Sequence, residues 1–210
     1  DYSGYQTDIF KSVPSWPSRT TNNGLGEILY NWCKLFADVS DRDFLTTVVH
    51  WYIEANSNVA LVEGSLMLAQ TALELVYNWF IIEKKGILLG SDATGISASN
   101  KIRILLNQLN ADYQIPTTLQ NLTIYRNSLP EQIDGPESFV RIRNAIVHAN
   151  EDKRRMLANV PLLARYEALQ LGLWYIELAM LKLLEFKGVY QNRTKAPGLP
   201  GANEETLPYL

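Results

Sequence analysis

The sequence predicts an all-α fold, a helical bundle with two long core helices and an extended arm at each end. Two runs, "VALVEGSLMLAQTALELVYNWFII" and "PLLARYEALQLGLWYIELAMLKLLEF", carry apolar residues almost all round, as helices buried on every side do. No stretch alternates apolar and polar residues convincingly enough for a strand, and no internal repeat is present. With 210 residues, 47% hydrophobic and 20% charged, the chain is long and apolar enough to bury a sizeable core.

The elements follow in order. Residues 1–26 read as an extended N-terminal arm, with Trp16 between Pro14 and Pro17 and a "TTNNG" run, packing through its aromatics. Helical spacing begins in "EILYNWCKLFADV". Ser40 and Asp41 supply a cap before "RDFLTTVVHWYIEAN". The first long run ends at Lys84, Lys85 and Gly86, a cationic terminus with a glycine stop. Its few polar residues, Glu63, Gln70, Glu74 and Asn78, are seven, four and four apart and so share one narrow stripe.

"GSDATGIS" reads as a loop and "ASNKIRILLNQLN" as a short amphipathic helix. Pro116 opens a helix in "PTTLQNLTIYRNSL", and "PEQIDGP" is a turn. Pro136, with Glu137 beside it, suits the first turn of "ESFVRIRNAIVHA". The second long helix closes at Gly188. The bundle thus occupies 27–188, and 189–210, with Pro197, Pro200 and Pro208, is expected to be a tail or linker.

Composition also limits function. The single cysteine, Cys33, excludes an internal disulfide and a cysteine-based metal site, which fits a reducing cytoplasm. The most apolar region, Pro161 to Phe186, holds Arg165, Glu167, Glu177, Lys182 and Glu185, too many charges for a lipid span, so no membrane partner is expected. A net charge of -3 argues against a general nucleic-acid stripe but leaves room for a local basic patch. A first residue Asp1 in place of methionine points to a processed end or, by preference, a piece of a longer protein with further domains.

The basic residues do gather. "VRIRNAIVHANEDKRR", 140–155, holds Arg141, Arg143, Lys153, Arg154 and Arg155 together with His148, one of two histidines in the chain. Four residues separate Arg143 from His148, and Asn144 follows the arginine directly. This "RNAIVH" stretch, lying between two long helices, resembles the signature of the HEPN superfamily, an arginine followed four to six residues later by histidine. "VEGSLMLAQTALELV" also looks like the early helix of large-protein HEPN domains grouped with ApeA-like and YopA-central families. The resemblance covers roughly Ser40 to Gly188 in helix order, with six residues specific to the motif.

That resemblance implies a HEPN-like bundle and a metal-independent endoribonuclease, with Arg143, Asn144 and His148 catalytic, no cofactor, and no metal. It implies a homodimer as well, because HEPN nucleases pair two domains so that two motifs form one composite site. RNA would be cleaved to a 2′,3′-cyclic phosphate, and a role as effector module of a prokaryotic defence protein in the cytoplasm follows from the same likeness. The residue types suit the chemistry. Imidazole transfers protons near neutral pH, and a guanidinium stays charged and can bond two phosphate oxygens.

Arg141, Lys153, Arg154 and Arg155 are the expected substrate-binding residues. Glu74, on the polar stripe, is the expected support for the arginine or histidine. Helix geometry puts Arg141, Asn144 and His148 on one face and Arg143 nearer the apolar side, so periodicity favours Arg141 where the motif nominates Arg143. The long stem of Arg143 can pass over apolar neighbours. Asn150, two places after His148, departs from the tyrosine of HEPN toxins that a partner nucleotidyltransferase AMPylates, which weighs against that partnership.

Other roles are open to the same residues. Arg143 and His148 can close a helix end, with the arginine paired to Glu137 or Glu151. His50, apolar on both sides, reads as a core or boundary histidine. A non-catalytic HEPN-like module that binds RNA, a nucleotide or a protein and transmits dimerisation predicts the same fold.

Overall fold

The computed structural model describes residues 15–18, 24–57, 61–147, 151–195, 199 and 201–210. Much of the expected N-terminal arm therefore lies outside the described residues, as do His148, Asn150, Pro197 and Pro200. Among the described residues the fold is all-α apart from one small antiparallel pair of strands. Its helices are α1 (Gly24–Phe36), α2 (Val39–Asn56), α3 (Val62–Tyr77), α4 (Gly90–Ala93), α5 (Ala98–Gln108), α6 (Gln120–Asn127), α7 (Gly135–Val147), α8 (Glu151–Ala158) and α9 (Leu162–Leu183).

Local chemistry sets the helix starts, sometimes not where the pattern put them. Asp38 caps α2 by accepting from the amides of Ser40 and Asp41, so the cap stands just ahead of the residues expected to supply it. Ser97 accepts from the Asn100 amide to open α5. A turn and Leu119 separate Pro116 from α6, and one helical turn, α4, forms inside the expected "GSDATGIS" loop. The separate helix α8 was missed.

α3 is central and packs on α2, α5, α7 and α9. Ala69 and Ala72 let neighbours approach closely, and Leu66, Leu73 and Val76 fill the core. The helix continues as π-helical turns over Asn78–Lys84, which bury Trp79, Phe80 and Ile81 in succession. Trp79 stacks on Phe44 at 4.3 Å between centroids, and its indole donates to the buried Asp41, which also holds Lys84. Val62–Lys84, rather than the Pro161–Phe186 run, is the helical stretch that passes a length and composition test for a membrane span, and most of it is buried in the bundle.

Residues 189–210, expected as a tail or linker, pack on the bundle where they are described. β1 (Val189–Gln191) and β2 (Glu204–Thr206) form an antiparallel pair, with Tyr190 opposite Glu205. Tyr190 and Leu207 are buried, and Trp16 lies on Phe186 at 5.4 Å between ring centroids while its carbonyl accepts from the Gln191 amide. The segment is polar and proline-bearing in sequence, yet two apolar side chains and one arginine anchor it.

Candidate functional site

Helix α7 is held in place by its neighbours before its own motif begins. Asp134 accepts from the Glu137 amide and caps the helix, while Arg103 of α5 grips both Asp134 oxygens at 2.5 and 2.8 Å. Gly135 and Gly172 allow the close packing. A Cβ at Gly135 would lie 2.4 Å from the Tyr175 hydroxyl, and one at Gly172 would lie 2.5 Å from the Phe139 ring. Because 135 meets 175 and 139 meets 172, α7 runs antiparallel to α9. Its last turn therefore heads toward the start of α9.

Arg143 stands just ahead of that last turn and Asn144 begins it. Arg143 is half-buried, its Nη1 donates to Asn144 Oδ1 at 2.9 Å, and its Nε is buried with no partner among the described residues. Burial pushes the guanidinium pKa below its ordinary value, and the nearby Glu74 charge opposes that shift. Arg143 answers this partial burial with its hydrogen bond to Asn144. It is not paired to Glu137 or Glu151, since Glu137 lies 3.7 Å from Arg103 and Glu151 pairs with Arg155.

The other nominated residues fall around it unequally. Arg141 is committed to Glu131 at 2.9 Å, with its own Nε buried and without a partner among the described residues. Glu74 holds Lys101 of α5 at 2.5 Å. Arg154 and Arg155 are exposed on α8, and Arg155 pairs with Glu151 one turn away. Nothing is described of the Lys153 side chain. His148 follows Val147, the last residue of α7, and lies outside the described residues. The structure thus pairs Arg143 with Asn144 on α7 and Glu74 of α3 with Lys101 of α5, and the Glu74 charge acts on Arg143. Lys101 was not anticipated, because only the tertiary pairing with Glu74 distinguishes it from any other surface lysine.

The remaining polar stripe is split between partners. Glu63 takes Arg165 at 2.6 Å, and that arginine also donates to the Val160 and Leu157 carbonyls, closing the end of α8. Gln70 is buried, its Oε1 without a partner among the described residues. His50 is exposed, a correction to the core or boundary position, and lines an open groove of about 710 Å³ with Trp32, Asp43 and Thr47 on α1 and α2. Among the described residues no three His, Cys, Asp or Glu side chains gather as metal ligands do.

Residues 38–203 match the model of the YopA C-terminal domain. The chain is 32% identical over 161 residues to the SPbeta prophage-derived uncharacterized protein YopA of Bacillus subtilis strain 168, a match that takes in 76% of this chain. It spans about a third (34%) of that relative's length. No solved structure matches. The matching model is the C-terminal one, where the sequence likeness had suggested the central family. The chain belongs to the YopA C-terminal domain family.

Proposed function

We propose that this domain is a HEPN-type, metal-independent endoribonuclease whose composite site forms when two copies bring their "RNAIVH" motifs together. The observation that carries the reading is Arg143. It is a half-buried guanidinium with an unpartnered Nε, braced by Asn144 in the last turn of α7, immediately before the segment that holds His148. An arginine held this way loses little on meeting a phosphate, because its planar fork is already oriented and partly stripped of water. His148 supplies the proton transfers, and its counterpart on the second copy supplies the one a lone imidazole cannot perform at the same time.

The surface near the motif suits a second copy. Val147 closes α7 as an exposed apolar residue, and Leu162, Leu163 and Tyr166 at the start of α9 are exposed as well. RNA is the substrate, contacted further by Arg154 and Arg155. No cofactor or membrane enters the reaction, and the module acts in the cytoplasm as the effector part of a longer defence protein.

One observation favours a second reading, a non-catalytic module that binds RNA, a nucleotide or a protein. Arg141 and Arg155 are both paired to carboxylates, Glu131 and Glu151. The two readings separate when a labelled single-stranded RNA is incubated with the purified protein in EDTA, alongside folded Arg143→Ala and His148→Ala variants. Cleavage by the wild type alone is the result expected of the nuclease. Equal products from all three would trace the cutting to a contaminant or another site, and none from any would leave the binding module.

A further inference from the structure

We propose that Arg165 is a positioning residue that fixes helix α8 and so presents Arg154 and Arg155 to the RNA backbone. The identity of the ligand, RNA, rests on the reading above. The anchoring of α8 is independent of it.

Helix α8 has little of its own to hold it. It is eight residues long, and none of the side chains described on it is buried; Met156 and Leu157 are only partly covered. Its main packing is against α7. So short a helix without a buried face is marginal in water, so its direction has to be set at its ends.

The C-terminal end is held by a single side chain from α9. Arg165 Nε donates to the Val160 carbonyl at 3.0 Å, Nη2 to the Leu157 carbonyl at 2.6 Å, and Nη1 to Glu63 Oε1 at 2.6 Å. All three nitrogens of the guanidinium are engaged. The arginine and glutamate side chains are only 18% and 25% exposed. One planar group thus joins the end of α8 to the first turns of α9 and α3, which its rigid fork suits better than a lysine would.

The place of Arg165 in its own helix says which element it serves. It lies in the first turn of α9, where the helix dipole disfavours a cation. The end of α8 favours one, and Leu157 belongs to the last turn of that helix. Glu63, in the first turn of α3, has the sign favoured there and supplies the counter-charge. Arg154 and Arg155 stand less than one turn ahead of Leu157 and are exposed. Arg155 meets Glu151 only in a surface pair, which yields readily to a phosphate. With α8 anchored, both arginines hold set places relative to α7. With α8 released, each has to be ordered on binding, and that cost is taken out of every contact it makes.

The test is a cycle of variants of the full chain, titrated with a single-stranded RNA oligonucleotide at several salt concentrations. Glu63→Gln with Arg165→Met removes the anchor without stranding a charge or altering the net charge. Arg154→Ala with Arg155→Ala removes the cations, and a third protein carries all four substitutions. E63Q/R165M is expected to bind about as weakly as R154A/R155A, each with a log–log salt slope shallower than wild type by about 1.4, twice the value for one single-strand phosphate. The fourfold variant should be no more than about twofold weaker than either, since the two changes remove the same contacts. An ion pair that is merely structural gives additive losses instead. The α8 amides of E63Q/R165M should exchange about tenfold faster than in wild type, with α9 unchanged.

Losses that add in the fourfold variant, wild-type affinity for E63Q/R165M, or unchanged α8 exchange would each overturn the proposal. Where E63Q/R165M does not fold, Arg165→Lys, which keeps the charge and gives up the fork, takes its place under the same criteria. Wild-type protein that binds no RNA overturns the proposal together with the reading above, and α8 exchange then shows whether the anchor exists by itself. The expected cycle without any RNA cleavage removes the ribonuclease reading and keeps the role of Arg165.

Discussion

Arg193 donates to Glu177 Oε1 at 2.6 Å inside the bundle, the two side chains only 6% and 2% exposed. Tyr52 donates to the same oxygen at 2.5 Å, and Asn56 and Gln170 accept from Arg193 at 3.2 and 3.1 Å. The pair ties the C-terminal segment to α2 and α9. Removing one partner strands a buried charge. Arg193→Ala or Glu177→Ala is therefore expected to lower stability by about 3–5 kcal/mol in urea unfolding, whereas an apolar pair such as Arg193→Met with Glu177→Leu regains most of it. Single losses below about 1 kcal/mol would show that the pair is wet in solution.

The same segment should make stability depend on acid. Burial alone would raise the Glu205 carboxyl, but hydrogen bonds from Lys195, Tyr190 and Asn192 outweigh it and hold its pKa below the ordinary value. A carboxyl depressed in the folded state contributes its full stabilisation above the unfolded pKa, and that contribution disappears as pH falls through the folded value. Unfolding measured from neutral pH downward should show this loss in the wild type, and Glu205→Gln should flatten it. Parallel curves for the two proteins would mean that Glu205 is not coupled to folding.

Gly172 is expected to tolerate no side chain. Its added Cβ would lie 2.5 Å from the Phe139 ring, which is fully buried and cannot swing aside cheaply. Gly172→Ala should cost about 1–3 kcal/mol and displace α7, and Phe139→Leu in the same chain should recover part of the loss. A thermal unfolding midpoint equal to wild type for the alanine variant would contradict the packing described.

Arg143 and Arg141 should behave differently toward RNA although only Ile142 separates them. Arg143→Ala is expected to lower cleavage by about a hundredfold or more, the scale of losing a group that meets developing charge. Arg141→Ala, already bound to Glu131, should lower it only severalfold. Arg154→Ala and Arg155→Ala should each reduce the salt dependence of RNA binding by about 0.7 in the log–log slope. Binding titrations at several salt concentrations check this, and unchanged slopes would remove α8 from the interface.

The bundle was legible because buried helices announce themselves by continuous apolar runs, and α3 and α9 are such runs. Helix ends were less legible. At α2 a local Asp38 side chain, rather than the Ser40–Asp41 pair, won the cap, and α8 hides in a charged stretch with little apolar periodicity. The packed C-terminal segment gave no strand signal, since its anchors Tyr190 and Arg193 have partners in α2, α9 and β2 that no local pattern connects. At the site, the motif named Arg143 and Asn144 directly. What the chain could not display was Lys101, whose meaning depends on α5 lying against α3. Glu177, the one charge between Ala168 and Leu181 of α9, was a sequence sign that a buried cation must arrive from elsewhere.

The most direct test of the ribonuclease claim is the chemistry of the cut end. A defined single-stranded RNA is treated with the purified protein in EDTA, and the products are weighed by mass spectrometry, with folded His148→Ala run in parallel. The account predicts a 2′,3′-cyclic phosphate on the 5′ fragment from the wild type, and intact RNA from the variant. A 3′-hydroxyl end, dependence on added metal, or the same cyclic end from His148→Ala would contradict it.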